Sequence, residues 1–183
     1  MNALALLALM VSLVAPGIAP LSVVDGRRET FDEGARRYLT IARELADATS
    51  NATEQRFVLS VFVNESTFRR DVHAGTNHNG KRTKMEDRGA SWCLGQIHLG
   101  QTSAHGRKLV GVSAKATRRC INETLARLRF AIRRCKKRPI CVFAFYGGVK
   151  DPKGHKGIAA RVRSYAKTAK RAPLTERTRE AIK

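Results

Sequence analysis

The feature that most constrains this chain is a run of apolar residues at helical spacing with a cysteine at each end. Ile121, Leu125, Leu128, Ile132 and Cys135 follow one another at intervals of 4, 3, 4 and 3, the single apolar stripe of one long helix over residues 116–135. Cys120 and Cys135 lie fifteen residues apart along it, roughly 22 Å at the helical rise, far beyond the reach of a disulfide. Arg138-Pro139 breaks the chain just afterwards and keeps Cys141 close to Cys135. Of the three pairings that four cysteines allow, only Cys93–Cys120 with Cys135–Cys141 survives. There is no C-x2-C pair and no zinc-type spacing to histidine, so no metal site is expected, and no cofactor.

The rest of the chain reads as helical, with no sustained period-two alternation. Residues 34–49 put Tyr38, Ile41, Ala42 and Leu45 on one face. Residues 54–68 do the same with Phe57, Val58, Val61 and Phe62, and residues 157–170 with Ile158, Val162, Tyr165 and Ala169. The fold class expected is mainly α, stapled by two disulfides. Between Arg69 and Gly89 the chain is polar and contains almost no apolar residue, which reads as a long surface loop. The five histidines, His73, His78, His98, His105 and His155, share no spacing and are expected in solvent. One domain over 30–172 is expected, followed by a basic tail at 173–183.

Residues 3–15 carry no charge. Thirteen residues are too few to span a bilayer, where about 20 are needed, but suit the apolar core of a secretory signal over 1–19, with small residues at Ala15, Gly17 and Ala19. A buried N-terminal helix is the alternative. Export to an oxidising compartment, secreted or periplasmic, agrees with the paired cysteines. The sequons at Asn51, Asn64 and Asn122 matter only in a host that glycosylates.

Charge is distributed unevenly. Of the net +20, residues 1–68 contribute −2, from six arginines against eight acids, and the remainder +22. Such a surface favours a polyanionic partner: nucleic acid, anionic lipid or bacterial cell wall.

Candidate chemistry begins at Glu65. Extending the stripe of Val58, Val61 and Phe62 by three residues lands on it, so a carboxylate occupies a place patterned for the core. A carboxyl buried without a partner keeps its proton to higher pH, which is what a general acid requires. The structural alternative is that it turns to solvent or pairs with an arginine.

Glu65-Ser66-Thr67-Phe68 at a helix end is followed by Gly89-Ala90-Ser91-Trp92-Cys93-Leu94-Gly95-Gln96-Ile97, a basic helix, and Ala144-Phe145-Tyr146-Gly147-Gly148. This order resembles the lysozyme-like superfamily of soluble lytic transglycosylases and goose-type lysozymes, whose motifs run E-S-x-F, G-L-M-Q-I and A-Y-N-A-G. The resemblance covers residues 36–172. It implies that Glu65 is the catalytic acid and that Ser91, Leu94, Gln96 and Ile97 belong to a turn lining a saccharide cleft. It also implies that Tyr146 supplies the ring that hydrogen-bonds the acid. Three departures stand out: Cys93 replaces the usual glycine, Gly95 the usual methionine, and the asparagine of the last motif is missing. Aligned without a gap, Phe145 takes the tyrosine's place and the contact to the acid is lost. Phe145 and Tyr146 read otherwise as core aromatics, Gln96 as a turn cap, and Trp92 as either a packing anchor or a sugar platform.

What the resemblance implies is cleavage of the β-1,4 bond between N-acetylmuramic acid and N-acetylglucosamine in peptidoglycan; separately, a monomer is expected. Glu65 would act first as acid and then as base, in the manner of a lytic transglycosylase. Inverting and ordinary retaining hydrolysis need a second carboxylate. Only Asp71, Glu86 and Asp87 lie in the bordering segment, each near an arginine. Two rivals remain. One is a basic nucleic-acid-binding protein using Arg118, Arg119, Arg127, Arg129, Arg133 and Arg134 for non-specific phosphate contacts. The other is a cell-wall-binding relative without catalysis.

Overall fold

The structure is a computed structural model that describes residues 1–13, 29–76, 81–82, 89–153 and 155–171. Its helices are α1 (Ala3–Leu13), α2 (Phe31–Ala48), α3 (Ala52–Glu65), α4 (Arg70–Ala74), α5 (Ala104–Arg107), α6 (Ala114–Arg134), α7 (Pro139–Tyr146) and α8 (Lys156–Arg171). Two strands of two residues, β1 (Ser91–Trp92) and β2 (Ile97–His98), pair antiparallel.

Helix α3 is the hub. Its N-terminus is capped by Asn51, whose side chain accepts from the Thr53 and Glu54 amides. The expected face of Phe57, Val58, Val61 and Phe62 is buried, and so are Gln55, Leu59 and Ser60, because α6 and α8 both pack on α3. Ser60 escapes the cost of an unpaired hydroxyl by donating to the Arg56 carbonyl. Helix α2 begins in a capping box, with the Thr30 side chain accepting from the Glu33 amide and the Glu33 carboxylate accepting from the Thr30 amide. Its buried face of Tyr38, Ile41, Ala42 and Leu45 meets α6 and α1.

Helix α6 runs as the stripe predicts, with Ile121, Leu125 and Leu128 buried. It ends where Lys136 and Lys137 take positive φ, and Pro139 opens α7 in the first turn, where a missing N–H costs nothing. Both expected disulfides are present. Cys135–Cys141 clamps the α6–α7 corner, and Cys93–Cys120 ties the β1–β2 turn to α6. They are consistent with an oxidising compartment.

The segment after Arg69 departs from the surface loop expected. Residues 70–74 form α4, with Asp71, Val72 and His73 buried. The buried polar side chains of this five-residue helix are satisfied in part, with His73 Nδ1 left without a hydrogen-bond partner among the described residues. Asp71 is ion-paired to Arg69, and His73 Nε2 lies 2.8 Å from Thr117 Oγ1. His73 is thus a core histidine and not a solvated one, whereas His98, His105 and His155 are exposed. His78, Glu86, Asp87 and the tail at 173–183 fall outside the described residues.

The apolar N-terminal segment packs as α1 against α2 and α8, burying Leu6, Leu9 and Met10. The Met1 amine donates to Gln55 Oε1 at 2.8 Å. The small residues at positions 15, 17 and 19 lie outside the described residues. No helix among the described residues is long and apolar enough to cross a membrane.

Candidate functional site

Glu65 stands where α3 unwinds. Ser66 caps the helix, its hydroxyl donating to the Phe62 carbonyl at 2.7 Å, and Thr67 and Phe68 then adopt φ of 49° and 53°. That reversal drops Phe68 into the core, against Tyr38 and Phe62. The E-S-x-F motif is therefore a helix stop with an aromatic anchor, and it leaves the Glu65 side chain at the rim, 18% exposed. Glu65 is not buried alone as the stripe suggested. Arg161 of α8, itself 14% exposed, donates to Oε1 through Nε at 2.8 Å and through Nη2. Three residues along α8, Ser164 Oγ accepts from Asn64 Nδ2 at 2.9 Å, a second tie between the same helices.

The turn between β1 and β2 is set by Cys93 and Gln96, both at positive φ. Gln96 closes it from within, its Nε2 donating to the Cys93 carbonyl at 2.9 Å, so its amide is used as a turn cap. Leu94 and Ile97 are fully buried in the core and brace the turn from beneath. Their side chains do not reach a cleft. Ser91 is half-buried on β1, opposite His98. Trp92 is a packing anchor: its ring lies under Gly106, where a Cβ would come within 2.4 Å, its Nε1 donates to Gly100 O, and the Arg82 guanidinium covers it at 3.7 Å.

Tyr146, at the end of α7, is tied to the turn. Its hydroxyl donates to the Gly95 carbonyl at 2.7 Å, and not to Glu65 as the resemblance implies. Burial of that hydroxyl pushes the phenol well above its ordinary value, and the negative charge of Glu65 pushes it the same way. The Thr124 hydroxyl and the Arg127 and Arg161 guanidiniums work in the opposite sense. Gly95 is required by this contact. A Cβ there would stand 2.4 Å from Thr124 Oγ1 and 3.0 Å from the Tyr146 hydroxyl. Phe145, the alternative tyrosine position, points away and is 47% exposed.

The cluster therefore gathers Glu65, Gly95, Tyr146 and two residues that the sequence did not single out, Thr124 and Arg161. Gly95 for methionine was the available signal for the close approach. Nothing marked Arg161, one base among eleven after residue 149.

Of the other carboxylates, Asp71 is held by Arg69 at 3.1 and 2.6 Å. Among the described residues no group of three histidine, cysteine or acidic side chains is placed to hold a metal ion. Several arginines of α6 are already engaged. Arg118 pairs with Glu44 and Asp47, Arg127 with Glu123, and Arg129 with both oxygens of Glu54, whose carboxyl the Arg129 hydrogen bonds hold below its ordinary value. No family model matches the chain, and neither does any curated protein or solved structure.

Proposed function

We propose that this protein is a secreted or periplasmic glycosidase that cleaves the MurNAc–GlcNAc bond of peptidoglycan, with Glu65 carrying the proton. The observation that supports this reading is convergence. Glu65 of α3 is paired to Arg161 of α8, both charges act on Tyr146 of α7, and the Tyr146 hydroxyl donates to Gly95 in the turn, so residues of four separate elements bear on one half-buried carboxyl.

Both Arg161 hydrogen bonds fall on Oε1, which leaves Oε2 to meet a leaving oxygen. In the first step the proton-loaded Glu65 gives its proton to the glycosidic oxygen as the bond from that oxygen to the muramic anomeric carbon breaks. In the second the carboxylate takes the proton of the muramic 6-hydroxyl as that oxygen bonds to the anomeric carbon, leaving a 1,6-anhydro end and Glu65 reloaded. Water in place of the 6-hydroxyl leaves a reducing end. Arg161 occupies Oε1 in the structure and must yield it before the first step.

That standing pair is also the observation that favours the second reading, a cell-wall-binding relative without turnover. The nucleic-acid reading is weakened because Arg118, Arg127 and Arg129 are neutralised by acids. The test is Glu65→Gln against purified sacculi, with circular dichroism to check folding. The parent should release soluble muropeptides and the variant at least about 100-fold fewer, the scale of lost general acid–base catalysis. Equal release by both sinks the assignment, and mass spectrometry of the ends separates lyase from hydrolase.

A further inference from the structure

Residues 124–150 contain eight bases and no acid. Five of those bases, Arg133, Arg134, Lys136, Lys137 and Arg138, fall in six consecutive positions at the corner between α6 and α7. All five are exposed, and among the described residues none is paired with an acid. The dipole at the end of α6 accounts for Arg133 and Arg134 alone. Lys136 and Lys137 stand at φ of 49° and 61°, a region that glycine or asparagine takes more readily than lysine. The turn is held there by the Cys135–Cys141 bond and by the Lys137 amide, which donates to the Ile132 carbonyl at 3.1 Å. Like charges gathered so closely repel one another, and an anion above them relieves that repulsion. The same corner exposes an apolar pair. Phe130 of α6 and Phe145 of α7 are 53% and 47% exposed, with ring centroids 5.3 Å apart. Helix geometry sets Phe130 beside Arg133 and Arg134, three and four residues on. Phe145 lies one turn after Cys141, so the disulfide fixes it to the corner. Two rings left in water beside five cations forgo burial that a partner would supply.

We infer that this corner docks on the surface of an anionic phospholipid bilayer, with Phe130 and Phe145 entering the acyl boundary and the five cations meeting lipid phosphates. The inference goes beyond the glycosidase reading and uses no residue of the Glu65 cluster. Apolar side chains beside a polybasic segment combine the two attractions that hold a protein at a membrane interface, burial in hydrocarbon and charge against anionic headgroups. A second copy of the chain is a poor occupant, because a twofold contact would bring the same five cations against each other. A nucleic acid also offers phosphates, but a single strand needs a cationic groove that tracks its backbone past the stacking rings. The groove beside these rings is lined by Glu123 and Arg127, which neutralise one another. The rings themselves lie in contact at a tilt of 54°, leaving no slot between them for a base. Hydrocarbon accepts both rings without regard to their orientation.

The experiment is cosedimentation of the full-length protein with vesicles of equal parts phosphatidylglycerol and phosphatidylcholine, against vesicles of phosphatidylcholine alone. The parent should partition to the anionic vesicles about ten-fold or more in preference, and less so as salt is raised. Arg133→Gln with Arg134→Gln, and separately Phe130→Ala with Phe145→Ala, should each weaken that partition by about ten-fold or more. Circular dichroism checks the fold, and Phe145→Ala alone keeps the test available if the paired change unfolds the chain. Arg163→Gln with Lys167→Gln on α8 removes two exposed cations elsewhere and should leave the partition little changed. Equal partition to both vesicles overturns the proposal. So does a loss in the α8 variant as large as that at the corner, since charge spread over the whole surface then explains binding. Ring variants that partition as the parent does also overturn it, because the rings then do not enter the bilayer. Tighter, ring-dependent binding of a single-stranded thymidine oligomer does the same, since base stacking then explains the pair.

Discussion

Gly95→Ala is the sharpest test of how the site is built. The main chain at Gly95 is not in the left-handed region, so alanine meets no backbone penalty there. The whole effect must come from space. A Cβ would stand 2.4 Å from Thr124 Oγ1 and 3.0 Å from the Tyr146 hydroxyl, so the turn or the two side chains must move. Overpacking of this kind costs about 1–3 kcal/mol, and losing the Tyr146 hydrogen bond to Gly95 adds about 1 kcal/mol, for a total of about 2–4 kcal/mol. Urea denaturation of the parent, Gly95→Ala, Thr124→Ala and the double variant measures it. Because the nearest clash is with the Thr124 hydroxyl, deleting that hydroxyl should recover about 1–2 kcal/mol of the penalty, a coupling that independent sites would not give. If Gly95→Ala costs under 0.5 kcal/mol (~0.5 is the scatter of surface substitutions), or if the two changes add without coupling, the contact is not as described.

Two further outcomes follow from buried groups. Burial and, secondarily, the charge of Arg37 lower His73 from the ordinary 6.5 to about 3. The unfolded chain therefore takes a proton as pH falls through 6.5 while the folded one does not until about 3, so this contribution to stability is complete above pH 6.5 and declines below it. Between pH 7.5 and 5 the loss is about 2 kcal/mol, readable by urea denaturation, and His73→Gln should flatten that slope. A slope unchanged in the variant would place the titrating group elsewhere. Removing Cys93–Cys120, which closes 27 residues, should cost about 3.5 kcal/mol, against about 2.2 kcal/mol for Cys135–Cys141, which closes 6. Thermal unfolding of the two paired alanine variants checks the order, and the reverse order would mean that native strain or residual structure dominates over loop length.

Much of the scaffold was legible in the chain itself. The α6 stripe and the breaks at Lys136–Pro139 depend on neighbours three or four residues apart, and the rise of one helix sufficed to pair all four cysteines. The same local logic located Glu65 at a helix end. It misjudged residues 70–74, whose polar composition concealed a buried helix, because burial there relies on Thr117 and on the neighbouring Arg69 for satisfaction. The family resemblance, and not local pattern, placed Leu94 and Ile97 in a cleft-lining turn, although apolar side chains in a turn pinned to α6 go to the core.

What the sequence determined by itself was therefore periodic and short-range: which segments are helices, where they stop, which cysteines can meet, and that one carboxylate sits out of pattern. Tertiary structure decided what surrounds that carboxylate. Arg161 is 96 residues from Glu65, and Tyr146 is 51 from Gly95. No spacing rule links such pairs, because their meeting depends on how α8 and α7 dock against α3 and the turn. Only that docking made Glu65 half of an ion pair, required a glycine at position 95, and left Phe130 and Phe145 facing water side by side.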